Sequence, residues 1–434
     1  MITFENQTLI IIGLGYVGLP LAEAFSKHMK TIGFDIDENR IKAYQSGRDL
    51  TTEIGDERLK QADIIFTSNL EEIKKADYII VTVPTPINDE NEPDLSPLLS
   101  ATEMIGTKMK KGAIIIFEST ISPGATEEIC VPVLVKMSGF ECGVDFSVGY
   151  SPERINPGDK INRLTNIVKI VSAQDEATTE KIAALYGLII EAGIFKAASI
   201  KVAEAAKVIE NTQRDVNIAF INDIAMAMTH LNIDTKEVLN AMNTKWNALG
   251  FSPGLVGGHC IGVDTYYLTT KLAKYDYMSP LIAASRAINE NMSNFVTNTL
   301  IKNMILADIK IKSAKVAIFG ITFKADCPDI RNSKVVDIVK QLQEYEIDPL
   351  IIDPLACKVE VKQSYDLKLA KSDVINDLDA LIIAVDHEIF KQQLQPDVIE
   401  NYFKKDIKQK VIIDIKSMLS QDDFMPPAYH YWRL

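Results

Sequence analysis

The run IIIGLGYVGLP, residues 10–20, limits the possible fold more than any other stretch of the chain. Gly13, Gly15 and Gly18 stand in the spacing G-x-G-x-x-G directly after an apolar β-branched segment. Each glycine answers a separate demand. Gly13 permits a tight turn, Gly15 lets the backbone approach a pyrophosphate, and Gly18 lets the next helix pack close to the strand. That helix then offers unbonded N–H groups and the positive end of its dipole to phosphate. Tyr16 and Val17 complete the turn. A second strand-like run, TIGFD, ends in Asp35, about 20 residues along. An acidic side chain there bonds the ribose 2′-hydroxyl and repels a 2′-phosphate, so NAD is predicted over NADP. Arg40, in the following helix, reads as a cofactor neighbour near the adenosine or as a solvated side chain.

The surrounding pattern agrees with a dinucleotide fold. Short apolar runs (LIIIG, TIGFD, DIIFT, DYIIVTV, AIIIFEST) alternate with helix-like stretches through the first third. Such alternation implies βαβ units and a parallel sheet. Residues 200–231 contain no Gly or Pro and keep apolar side chains at helical spacing through Val202, Ala206, Ile209, Val216 and Phe220. They read as one long helix, with a second helical region near 279–307. From residue 315 the alternation returns in KVAIFG, PLIIDP, DALIIAVD and KVIIDIKS. The expected class is α/β: two Rossmann-like parallel-sheet domains joined by a central helical domain. The boundaries expected are 1–199, 200–308 and 309–434.

The formal charge of −13 argues against a nucleic-acid partner, which would need clustered Lys and Arg. It leaves room for an anionic small ligand, because a few local cations outweigh a distant net charge. The five cysteines form no CxxC pair, so neither a disulfide framework nor a metal site is expected. Residues 9–25 lack the basic start and small-residue cleavage site of a signal peptide. No stretch has the length of an uninterrupted membrane span. The expected location is the cytoplasm, with no membrane partner.

Candidate chemistry falls in loops after strands, where open α/β sheets bind ligands. VPTP (83–86) makes a rigid turn around Thr85, and ESTISPG (118–124) carries Thr120. YSPERINPG (150–158) sets Glu153 and Arg154 in another turn, with an exposed ion pair as the plain alternative. In GLVGGHCIGVD (254–264) a lone thiol, Cys260, stands among Gly257, Gly258 and Gly262. Glycines there allow close backbone approach and leave N–H groups to point at a ligand. A thiolate beside an NAD domain suggests attack on an aldehyde, hydride loss from the thiohemiacetal, and hydrolysis of the thioester. His259 reads as a base or as a backbone-bonded loop residue. On the long helix, Lys207 and Asn211 stand four apart on one face, suited either to holding an oxyanion or to solvent. Glu210 and Arg214 read as a surface pair. In FKADCPDIRNS (323–333), Lys324 and Arg331 flank a loop suited to phosphate or to local salt bridging.

Taken in order, these motifs resemble the UDP-glucose/GDP-mannose dehydrogenase family, and the resemblance covers essentially the whole chain. It implies two oxidations at C6 of a nucleotide sugar, using two NAD and one water, by a homodimer formed through the central helix. By matching motif it assigns Cys260 as nucleophile and Lys207 and Asn211 as oxyanion stabilisers. Asp264 and Thr120 would activate water, and Glu153 would serve as an acid–base residue. Lys324 would contact substrate phosphate, and Arg331 the cofactor side. Glu153, Arg154, Gly257 and Gly258 join the substrate set. His259 and Ile261, where UDP-glucose enzymes usually carry Ser and Phe, resemble the N-acetylhexosamine branch, and UDP-N-acetylglucosamine is the expected substrate. Synthesis of capsule or O-antigen is the implied setting. Thr265 departs from the proline often found there. The rival readings are a one-step NAD alcohol dehydrogenase and a non-enzymatic nucleotide-sugar sensor.

Overall fold

The computed structural model describes residues 3–88, 90–155 and 163–434. The last three positions of YSPERINPG lie outside them. The chain divides into two compact units. One holds residues up to Asn211 together with Val263–Tyr277; the other holds Thr212–Gly262 and Met278–Leu434. The central segment 200–308 is therefore shared between the two.

In the first unit the strands are β1 (Thr8–Ile12), β2 (Lys30–Phe34), β3 (Ile64–Thr67), β4 (Tyr78–Val81), β5 (Ile114–Phe117), β6 (Ser147–Tyr150), β7 (Lys169–Ala173) and β8 (Ile194–Lys196). They form one sheet in the order β3-β2-β1-β4-β5-β6-β7-β8. Its first six positions follow the 3-2-1-4-5-6 order of the dinucleotide-binding fold. β1, β4 and β5 are buried throughout, as strands covered by helices on both faces must be. Alternation divides their side chains. Leu9, Ile11 and Ile80 enter one apolar cluster; Ile10, Ile12, Ile79 and Val81 enter the other. β7 departs from the expected all-parallel sheet: it returns antiparallel beside β6, pairing Gly149 with Ala173 and Tyr150 with Ser172.

The second unit carries β9 (Val316–Phe319), β10 (Leu350–Ile352), β11 (Ala380–Ile383), β12 (Lys410–Asp414) and β13 (Tyr429–Arg433). They pair in the order β10-β9-β11-β12-β13, all parallel. Val316, Ile318 and Ile382 face one core cluster, and Phe319, Leu381 and Ile383 the other.

The long helix runs Ile200–Leu231 as the sequence predicts, and a second runs Pro280–Leu306. The faces of the long helix differ from simple amphipathic expectation. The apolar stripe points outward, with Val202 at 49 %, Ile209 at 52 % and Phe220 at 58 % exposure. The buried side carries Glu204, Lys207, Asn211, Asp215 and Asn222 alongside Ala203, Val208 and Ala219.

Candidate active site

The glycine turn is built as its spacing predicts. Gly13 has a φ of +93°, and a Cβ there would stand 3.1 Å from the Thr82 carbonyl oxygen. A Cβ on Gly18 would lie 1.9 Å from the Gly13 oxygen, so only glycine permits that helix start. A Cβ on Gly15 would meet nothing within 4 Å, so the turn is open on that side. The first helix (Gly18–Ser26) begins after Val17, with no side chain capping its first N–H groups. Open backbone and an uncapped helix start suit a pyrophosphate. Val17 is buried and Tyr16 partly so.

Asp35 does more than the sequence predicts. Its Oδ2 accepts from Leu14 N (2.8 Å) and from Arg40 Nη1 (2.9 Å), and its Oδ1 accepts from Asp37 N (3.0 Å). The Tyr44 hydroxyl donates to the Leu14 carbonyl at 2.8 Å. Leu14 is thus held by both its N–H and its C=O, which fixes the turn before any ligand arrives. Tyr44 escaped the sequence reading because one aromatic in a short helix gives no motif. Burial pushes its hydroxyl pKa up, beyond what Arg40 offsets.

A second group of predicted residues meets in the same unit. Asn211 Nδ2 donates to Asp264 Oδ2 at 2.5 Å, and Lys207 Nζ lies 3.6 Å from the same oxygen. Lys207 and Asn211 are 9 % and 5 % exposed, which removes the solvated-face alternative. Asp264 lies in the first turn of the helix Ile261–Ala273, four residues after Cys260. One turn before Lys207, Glu204 accepts from Gly124 N (2.5 Å) and Thr126 N (2.9 Å), tying the end of ESTISPG to the long helix. Burial raises the Glu204 pKa despite those bonds. The buried Tyr150 hydroxyl is pushed well above its usual range, first by burial and then by Glu204, Asp264, Glu118 and Glu153. Glu153 is buried: Oε1 accepts from Ile155 N, and Oε2 has no hydrogen-bond partner among the described residues. Arg154 is exposed and donates to the Val168 carbonyl at 3.2 Å. Thr120 is partly exposed. Beside Thr85, the Tyr267 hydroxyl donates to the Pro86 carbonyl at 3.1 Å.

The cysteine loop belongs to the second unit, where its glycines have a different reason from the one expected. A Cβ on Gly257 would stand 2.6 Å from the Asn332 carbonyl oxygen, and one on Gly258 2.8 Å from the Phe323 ring. Gly258 N donates to the Arg331 carbonyl (3.2 Å), and Asn332 Nδ2 donates to the Gly258 carbonyl (3.0 Å). The Gly258 N–H is therefore taken by the chain itself, and these glycines admit the FKADCPDIRNS loop. Arg331 is bound by Asp329, Nε to Oδ1 at 3.0 Å and Nη2 to Oδ2 at 2.5 Å. Its Nη2 also stands 3.1 Å from His259 Nδ1. The His259 imidazole is pulled down by burial and by Arg331. Hydrogen bonding to Asp329 and Cys260 outweighs both and lifts it to about 9. Lys324 lies with Nζ 5.5 Å from the centroid of the Phe323 ring. Further back, Asn222 grips both polar groups of Gly254: Nδ2 to O at 3.0 Å, and Gly254 N to Oδ1 at 2.8 Å. Among the described residues no group of three His, Cys, Asp or Glu side chains is arranged to hold a metal.

The Rossmann order, the preset glycine turn and the buried Lys–Asn–Asp group define an NAD-dependent dehydrogenase. Comparison with known proteins narrows that class. Residues 7–190 match the NAD binding domain of the UDP-glucose/GDP-mannose dehydrogenase family, 201–291 its central domain, and 317–421 its UDP binding domain. The chain belongs to that family. It is 49 % identical to the UDP-N-acetyl-D-glucosamine 6-dehydrogenase of Salmonella typhi, over 96 % of this chain and 98 % of that one. It is 47 % identical to Protein CapL of Staphylococcus aureus, over 99 % and 100 %. The solved UDP-D-ManNAc dehydrogenase from Pyrococcus horikoshii superposes with a TM-score of 0.88 at 29 % identity, covering 98 % of this chain and 99 % of that one.

Proposed function

We propose that this chain oxidises the C6 hydroxyl of UDP-N-acetylglucosamine to the carboxylate in two NAD-dependent steps joined by a covalent intermediate on Cys260. The observation that carries the substrate is near-half identity, over almost the whole chain, to a relative named for that sugar. The pair His259 and Ile261 around Cys260 supports the same branch.

The cofactor is held by the Gly13–Gly15–Gly18 turn, Tyr16, Val17 and Asp35, with Arg40, Thr85, Thr120 and Arg331 as further contacts. NAD supplies a hydride acceptor for each oxidation. The chain's own groups supply the rest. Lys207 and Asn211 steady negative charge on the sugar oxygen as the C6 hydroxyl gives up its proton, which favours the transition state over bound substrate. Cys260 adds to the aldehyde, and the thiohemiacetal is oxidised to a thioester. Asp264, with Thr120, takes a proton from water, which displaces the thiol and releases the acid. Glu153, whose buried Oε2 has no partner among the described residues, exchanges protons near the same centre. Arg154, Gly257, Gly258 and Lys324 contact the nucleotide sugar. The net change is one water consumed, two NADH formed and one carboxylate released.

The same reading proposes three functional segments, 1–199, 200–308 and 309–434, in line with the three family models. It proposes a cytoplasmic enzyme that feeds capsule or O-antigen synthesis. Among the described residues no helix is long and apolar enough to cross a membrane. A homodimer is proposed through the long helix, whose exposed Val202, Ile209 and Phe220 call for cover.

The test is kcat/KM for UDP-N-acetylglucosamine, UDP-N-acetylgalactosamine, UDP-N-acetylmannosamine and UDP-glucose, with NADH counted per sugar. A preference for the first and two NADH per uronate are expected. Highest efficiency with UDP-glucose would overturn the branch. Undiminished turnover in Cys260→Ala would overturn the covalent route.

A further inference from the structure

Glu118 and Lys169 are among the most deeply buried charges in the first unit. Glu118 follows β5 and stands two residues before Thr120. Lys169 opens β7. Lys169 Nζ donates to Glu118 Oε2 at 2.7 Å and to the Pro152 carbonyl at 3.3 Å. The Tyr186 hydroxyl donates to Glu118 Oε1, and the Lys169 ammonium lies 5.0 Å from the centroid of the Tyr186 ring. Ser151, beside Pro152, is fixed too: its hydroxyl donates to the Ile170 carbonyl at 2.8 Å. One lysine therefore ties the loop that carries Thr120 to the turn that carries Glu153. The antiparallel return of β7 against β6 brings these two segments within its reach.

A buried ion pair is weak evidence for stability, because desolvation offsets most of its attraction. Its value lies in geometry. Glu118 is held on both oxygens, and Lys169 is aimed at two acceptors on different loops. Glu153 follows Pro152 directly, and its Oε2 has no hydrogen-bond partner among the described residues.

We propose that Lys169, with Glu118 and Tyr186, is a positioning group that sets Glu153 against Thr120 for the water-dependent step. This rests on the covalent route proposed above. Formation of the thioester, with its two NADH, does not need the clamp; attack of water on the thioester does. Loss of the clamp misplaces the proton-handling pair while the thioester still forms. A misplacement of about 1 Å is enough to cost on the order of a hundredfold.

The experiment compares wild type with Lys169→Met/Glu118→Gln, which removes both charges together, and with Tyr186→Phe, which keeps the ion pair. Rapid mixing with saturating UDP-N-acetylglucosamine and NAD follows NADH, and acid-quenched protein is weighed for an acyl group on Cys260. The double variant should show a burst of two NADH per subunit at a rate within about twofold of wild type. A steady rate lower by about tenfold or more should follow, with the acyl-enzyme accumulating. Tyr186→Phe should move the same way by a smaller factor, with KM for the sugar unchanged. Equal loss of burst and steady rates without accumulation, or an unchanged steady rate, would overturn the proposal. Cys260→Ala separates the two ideas. If it is inactive while the double variant shows no accumulation, the clamp alone fails. If it turns over, the covalent route fails and the clamp's assignment with it.

Discussion

Asp35 illustrates how one side chain answers two demands. Its carboxylate bonds the glycine turn through Leu14 and the following helix through Asp37 and Arg40. Asp35→Ala should therefore weaken NAD more than loss of a ribose contact alone would, since the turn loosens as well. It should also relax the preference over NADP; equal use of both by wild type would refute the assignment. Calorimetric titration with each dinucleotide measures this. His259 makes a pH prediction. Its pKa is about 9 in the fold, against about 6.5 for the unfolded chain. The stabilisation it brings is full below about pH 6.5 and lost as pH rises through 9. Asp329 is the partner that holds it there, its own carboxyl kept well below the usual range by His259 and Arg331 in spite of burial. Urea midpoints for wild type and Asp329→Asn should lie furthest apart near pH 6–7 and approach each other toward pH 10. A gap that widens with pH would remove the charged pair.

Element by element, the long apolar runs were legible and the short mixed ones were not. β1, β4 and β5 announce themselves as Ile-rich runs because both faces are buried. β8, β13 and the SVGY strand β6 are brief or mixed, and their pairing partners, far off in sequence, supply what local pattern lacks. The long helix was readable in length and not in orientation. Periodicity locates an apolar stripe without saying what covers it. The polar side is buried because its partners come from elsewhere, as Asp264 does for Asn211, 53 residues along the chain. The same limit hid Glu118, Lys169 and Tyr186, which belong to three separate segments. The outward stripe yields a prediction. Phe220→Asp should shift the protein from dimer to monomer in sedimentation velocity at micromolar concentration, with far-ultraviolet circular dichroism unchanged. A monomeric wild type would remove the proposed interface.

At the scale of the whole molecule, the same turn is built twice. Gly320 follows β9 with a φ of +94°, as Gly13 follows β1 at +93°. Asp353, just after β10, accepts from Ile321 N (2.7 Å) and Thr322 N (3.2 Å), as Asp35 accepts from Leu14. Its Oδ1 accepts from Leu355 N and Ala356 N. The buried His387 stands 3.2 Å from Oδ2 and takes Asp326 N on Nδ1. The return of strand–helix alternation from residue 315 was legible in the sequence, but this second turn was not, because it keeps one glycine of the three. Asp353→Ala strips four backbone donors of their acceptor and should cost several kcal/mol, about 1 or more per buried group left unpaired. The expected result is a lower Tm with an unchanged NAD dissociation constant for the folded protein. A loss of NAD affinity without a fall in Tm would contradict it.

The paired turns also forecast how each tolerates change. Gly15 borders open space and belongs to the turn proposed to hold the cofactor, whereas a Cβ on Gly320 would strike Val385 at 2.4 Å. In a library of every single substitution sorted once for protein abundance and once for growth that depends on the product, position 15 should pass the first sort and fail the second. Position 320 should fail both. The two screens would separate what the turn does for the ligand from what it does for the chain, without any structure being consulted.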